Sequence, residues 1–82
     1  MRSMEMSKAL AIVLRKHREA RGLSQEALAE KADLHAVSLG FIEQFKRNVS
    51  LNTASNLAKV LEVPLSQLVK EAEEVQRQRR SH

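Results

Sequence analysis

The chain has 82 residues, a net charge of +4, two glycines, one proline and no cysteine. That length fills one small domain and leaves no room for a large catalytic cleft beside a second core. Disulfides and thiolate metal sites are excluded, in keeping with a reducing intracellular setting, and no apolar run approaches the roughly 20 residues of a membrane span or reads as a secretory signal. Apolar residues make up 43%, yet only Phe41 and Phe45 are aromatic, so a core must be built from Leu, Val, Ile and Ala. With so many good helix formers, such a chain favours packed helices. A small basic domain points to a polyanionic partner, nucleic acid first, although mild basicity is common among soluble proteins.

Residues 1–6 are expected to be a flexible lead-in. The first helix is expected from about Ser7 to Ala20, where Leu10, Val13, Leu14 and His17 share one face, and Gly22 suits its end. Ser24 stands at the N-cap of a second helix, its hydroxyl able to take a free backbone N–H, with Glu26 adding negative charge to the first turn. Leu28, Ala29 and Ala32 give that helix its buried side. Asp33, in the short connection that follows, tolerates a left-handed backbone.

A third helix is expected over Ala36 to Gln44, with Leu39 and Ile42, and Leu34 before them, turned to the core. The basic loop "FKRNVS" comes next. Ser50 is placed to cap a fourth helix, Leu51 to Leu61, which packs through Leu57, Ala58 and Leu61. Pro64 suits the first turn of a fifth helix carrying Leu65, Leu68, Val69 and Ala72. The folded domain is expected over residues 7–72, and residues 73–82 as frayed helix passing into a mobile basic tail.

Two short helices joined by a three- to four-residue turn, the second running into a basic loop, describe a helix-turn-helix. Over Leu10 to Val69 the sequence resembles the Cro and lambda-repressor-like family, also called the xenobiotic-response-element type. The resemblance rests on Arg18, the run "LSQEALA" at Leu23 to Ala29, Leu34, Leu39, Ile42, Glu43, Lys46 to Ser50, "LAKVLEV" at Leu57 to Val63, and Leu68. It implies an all-α, compact five-helix lambda-repressor-like DNA-binding domain. The "RNVSL" at Arg47 to Leu51 is similar to the variant found in restriction–modification controller proteins.

The resemblance also implies roles. The start of the second helix, Ser24 and Gln25, lies against the DNA backbone, and His35, at the N-cap position of the recognition helix, can reach phosphate. Lys46, Arg47 and Asn48 match the loop that grips the sugar-phosphate backbone, the alternative being a solvated charged loop. Ala36, Val37, Ser38, Gly40 and Phe41 match the positions that enter the major groove. They carry few hydrogen-bonding groups, so reading by contact with thymine methyls and by DNA shape is expected, Gly40 permitting close approach. Arg18 and Glu43 match a buried structural salt bridge. Phe45 stands where many members have glycine, so the usual left-handed helix stop is not expected there.

The family binds pseudo-palindromic sites as dimers, and Val60, Val63, Leu65, Leu68 and Val69 are the candidate dimer surface; completing the monomer core is the alternative for each. His17, His35 and His82 share no metal-ligand spacing, and His17 is expected to be a packed histidine. No nucleophilic triad and no glycine-rich phosphate loop is present, so neither enzymatic activity nor a cofactor is expected. The expected partner is double-stranded DNA, bound by a homodimer in the cytoplasm and, when engaged, in the nucleoid. RNA polymerase is a further candidate partner, and the alternative reading is an antitoxin-type module that binds a toxin, through Phe45 and the tail from Val75.

Overall fold

The computed structural model describes residues 5–80, with side chains over 5–78; residues 1–4 of the expected lead-in and residues 81–82 of the expected tail lie outside the described residues. The elements are α1 (Met6–Ala20), α2 (Gln25–Lys31), α3 (Ala36–Glu43), α4 (Leu51–Leu61) and α5 (Leu65–Arg80), and no strand occurs among the described residues. Ser24 Oγ accepts the Ala27 N–H at 3.0 Å and Ser50 Oγ accepts the Thr53 N–H at 3.1 Å, so both serines cap the helices that follow them.

The apolar stripes of the helices converge on one core, in which Leu14, Leu28, Leu39, Leu57, Leu61 and Leu68 are essentially without solvent exposure. α5 packs chiefly along α1 and also against α4, while α2 and α3 pack on each other beside them. Leu68 is 0% exposed. It therefore belongs to the monomer core and not to a dimer surface, a correction that follows from α5 lying on α1 and α4. Val60, Val63 and Leu65 are half-buried against the same core, and Val69 is half-buried at the surface.

Two expectations about helix ends change. α5, expected to fray beyond Ala72, is one continuous helix to Arg80. The spacing Leu68, Ala72, Val75 keeps an apolar edge against the core for another turn, and the Glu, Gln and Arg between are good helix formers. Phe45 takes the left-handed backbone after all, at φ 64, and α3 stops there. The Lys46 N–H reaches the Phe41 carbonyl at 2.8 Å and the Phe45 N–H reaches that of Ile42 at 3.1 Å, which together satisfy the helix end. The same paired bonds close α1 at Gly22, α2 at Asp33 and α4 at Glu62, with φ of 69, 56 and 59.

Long-range polar contacts tie the frame. Arg21 Nη1 donates to the Leu61 carbonyl at 2.8 Å, which places a cation at the end of α4. The Val49 N–H donates to Ser7 Oγ at 3.0 Å and anchors the basic loop to the start of α1. His17 Nε2 meets Glu71 Oε1 at 2.8 Å across the α1–α5 contact, and Gln67 Nε2 donates to Glu71 Oε2 at 2.9 Å. The Gln67 bond, helped by His17 and opposed by burial, holds the Glu71 carboxyl below its ordinary value of 4.5. A lowered folded value means that this carboxylate stabilises the fold fully above about pH 4.5, and that the contribution is lost as pH falls through the folded value. Thermal unfolding followed between about pH 3 and pH 6 should therefore show a shallower pH dependence for Glu71→Gln than for the parent; identical slopes would remove Glu71 from the acid response.

Candidate nucleic-acid interface

The site is built around α3, whose two sides have different jobs. Leu39 and Ile42 are buried and hold it to the body. Glu43, 6% exposed, ends it at the meeting point of three helices. Arg18 from α1 donates through Nε to Glu43 Oε2 at 2.7 Å and through Nη2 to Oε1 at 2.9 Å, a two-pronged arrangement that fits a planar fork to a carboxylate. Arg18 Nη1 donates to the Leu23 carbonyl at 2.7 Å, so the same guanidinium also fixes the turn between α1 and α2. Its hydrogen bond to Glu43 raises the Arg18 pKa further above an already high value, against the opposing effect of burial.

Gln25 joins this cluster. Its Nε2 donates to Glu43 Oε1 at 2.9 Å, so the side-chain amide expected at a phosphate is engaged inside, linking α2 to α3. Gly40 is buried under the same contact: a Cβ at Gly40 would stand 3.5 Å from Gln25 Oε1. Its place as an open groove-facing position is thus corrected. Gly40 lies where α3 faces α2, among the residues that line a shallow cleft between them.

The outward side of α3 carries Val37, 67% exposed, Phe41, 37% exposed, and Ser38 and Ala36, both half-buried. Gln44 is exposed on this side as well, three residues beyond Phe41 and seven beyond Val37. Sequence reading treated Gln44 only as the end of the helix, although its spacing from Val37 and Phe41 was the available signal. The cleft, about 300 Å³, is lined by Gln25, Glu26, Ala36, Val37, Gly40, Phe41 and Gln44.

Arg47, from the loop, folds back onto the outward side. Its guanidinium carbon lies 5.8 Å from the centre of the Phe41 ring and its Nη1 donates to Ser38 Oγ at 3.1 Å. No sequence pattern announces this contact, because it depends on the left-handed turn at Phe45. Lys46 and Asn48 are exposed beside it. His35 is exposed at the start of α3 and makes no side-chain cap bond, whereas the Ser24 oxygen is occupied as the α2 cap. Among the described residues no cluster of His, Cys, Asp or Glu could hold a metal ion, and no helix is long and apolar enough to cross a membrane.

Two short packed helices, the second with an exposed outer face and a cationic loop folded against it, define a DNA-binding helix-turn-helix regulator. A family model described as helix-turn-helix matches residues 14–68, and the chain belongs to the Cro/C1-type helix-turn-helix family of DNA-binding transcriptional regulators. It is 39% identical over 66 residues to Control protein C.SmaI of Serratia marcescens, which covers 80% of this chain and 79% of that one. The restriction-modification controller protein C.AhdI from Aeromonas hydrophila superposes with a TM-score of 0.70 at 38% identity, over 74% of this chain and 92% of that chain. The clp gene regulator ClgR from Corynebacterium glutamicum superposes with a TM-score of 0.92 over 98% of this chain and 85% of that chain; at 20% identity that likeness is one of fold.

The buried cluster makes a direct stability prediction. Glu43→Ala strands the Arg18 charge in the interior and should lower the unfolding free energy by about 3–5 kcal/mol. Gln25→Ala leaves the ion pair intact and should cost clearly less, which urea titration of the two variants would resolve.

Proposed function

We propose that the protein is a sequence-specific regulator that binds a pseudo-palindromic operator as a homodimer, α3 of each subunit entering a major groove. The observation that carries this reading is the outward face of α3, with Val37, Phe41 and Gln44 exposed and the Arg47 guanidinium folded against it. A face that is apolar at its centre and polar at its rim suits base edges and groove shape more than a catalytic task. Lys46, Arg47 and Asn48 supply backbone contacts, with His35 at the other end of the helix. The likeness to Control protein C.SmaI and to the restriction-modification controller protein C.AhdI supports a controller's role, in which occupying a promoter regulates transcription on chromosomal DNA; a family of regulators also favours a non-enzymatic protein.

Two subunits reading successive grooves need their recognition helices about 34–36 Å apart. The half-buried Val60, Val63, Leu65 and Val69 on α4, α5 and their connection are the surface that would set this distance. Val69→Glu places a charge on that surface at a position outside the monomer core. It should give a folded monomer by sedimentation that binds the operator more weakly. A Val69→Glu dimer with unchanged affinity would move the interface elsewhere.

The central test is titration of the purified protein against genomic fragments, including the region upstream of its own gene. A preferred site at about 0.1–0.2 M salt is expected, and uniform binding to all fragments would overturn sequence specificity. Arg47→Ala should weaken binding to every sequence and reduce the log–log salt slope by about one unit. A slope equal to the parent's would exclude Arg47 from the backbone contacts.

A further inference from the structure

We infer that Ser7, in the first turn of α1, is a positioning residue for DNA binding: one hydrogen bond from it sets the peptide plane from which side chains of the basic loop extend. This rests on the proposed role of Lys46, Arg47 and Asn48 at the sugar-phosphate backbone. The Val49 N–H donates to Ser7 Oγ at 3.0 Å, between residues 42 apart in sequence. Ser7 and Val49 are both half-buried and Val49 packs against the core, whereas Lys46, Arg47 and Asn48 are exposed.

The loop is fixed at its two ends by the helices that flank it. Phe45 and Lys46 close α3 through their N–H groups, and Ser50 caps α4. Between those ends, burial of the Val49 side chain keeps the chain near the body but gives it no direction, because the hydrophobic effect is non-directional. The bond to Ser7 has direction. A peptide unit is planar, so an N–H held at Val49 also fixes the Asn48 carbonyl and the Asn48 Cα. The Asn48 side chain leaves from that Cα, and Arg47 is one residue further on. Arg47 is restrained at its other end, where Nη1 donates to Ser38 Oγ at 3.1 Å. Two serines from different helices therefore hold the loop, one at its backbone and one at the tip of a side chain.

Binding costs less when the groups that make contact are already ordered. A loop that keeps one conformation in the free protein loses little freedom on meeting phosphate, and a loop released at Val49 must be ordered by the DNA. Ser7 bears no charge, so its contribution comes through the arrangement of the loop and not through attraction to phosphate.

The test uses the full chain and a short duplex of mixed sequence at low salt, where backbone contacts act without a preferred site. Ser7→Ala, checked for folding by circular dichroism, should bind about fivefold more weakly. That factor corresponds to about 1 kcal/mol, the usual net worth of one hydrogen bond, at about 1.4 kcal/mol per tenfold change. Ser7→Thr, which keeps the hydroxyl, should restore the parent affinity. In a protein already carrying Arg47→Ala and Asn48→Ala, adding Ser7→Ala should weaken binding no further, because the side chains it positions are gone. Amide exchange at Val49, followed by NMR, should be faster in Ser7→Ala than in the parent.

Parent affinity in Ser7→Ala overturns the inference while leaving the backbone role of the loop intact. Binding by Ser7→Thr as weak as that of Ser7→Ala overturns it as well, since the effect would not belong to the hydroxyl. So does a loss that persists in the Arg47→Ala, Asn48→Ala background. Unchanged exchange at Val49 overturns the bond itself. Parent affinity in the Arg47→Ala, Asn48→Ala protein overturns the reading of the loop, and with it the inference.

Discussion

Glu43 sits where α1, α2 and α3 meet, and its two carboxylate oxygens accept hydrogen bonds from Arg18 and Gln25, one residue from each of the other two helices. The orientation of the outward face depends on this junction. α3 has eight residues, well below the length at which a helix holds together alone, so its geometry must come from tertiary contacts. Leu39 and Ile42 supply burial but little direction, because dispersion and the hydrophobic effect are not directional. The bidentate bond to Arg18 is directional, and it extends to the Leu23 carbonyl in the turn between α1 and α2. A buried pair of this kind adds little net stability over a well-packed apolar pair, but it makes other arrangements of the three helices costly, since each would leave a charge unpartnered.

The same economy of local signals appears at the helix ends. Four helices close with the same pair of backbone bonds, and only one of the four left-handed residues, Gly22, is a glycine. Asp33, Phe45 and Glu62 hold a conformation that costs other residues about 1–2 kcal/mol. Glu62 follows the carbonyl that Arg21 grips, and Phe45 borders a surface cavity that Ala11 and Ile12 of α1 also line. The turn at Phe45 also redirects the chain, so that Arg47 comes back onto Phe41 and Ser38. The left-handed residue thus determines where the Arg47 guanidinium sits.

The resulting surface is apolar in the middle and polar at its margins. Val37 and Phe41 project from the centre, Gln44 and Arg47 stand at the rim, and Lys46 and Asn48 lie beyond. Taken residue by residue, the outward positions of α3 look almost without donors. Assembled, they are bordered by an amide and a guanidinium that belong to the end of the helix and to the loop. Gln25, expected at a phosphate, is half-buried and spends its amide N–H on Glu43, linking α2 to α3.

Much of this protein was legible in the chain alone, for a local reason. Helical spacing of Leu and Ala, serines ahead of helices and a glycine after one act within a few residues, so the helices, both serine caps and the resemblance to a family of regulators could be read directly. What remained for the tertiary structure depends on contacts between residues distant in sequence. Leu68 and Val69 are neighbours with the same apolar character, and only the way α5 lies on α1 and α4 makes one core and leaves the other at the surface. Gly40 and Val37 both read as groove positions, yet the first is buried beside Gln25 and the second is two-thirds exposed. The composition and period of the sequence determined that there would be five helices. Their packing decided which side chains of α3 remain exposed, because exposure belongs to the assembled surface and not to any one residue.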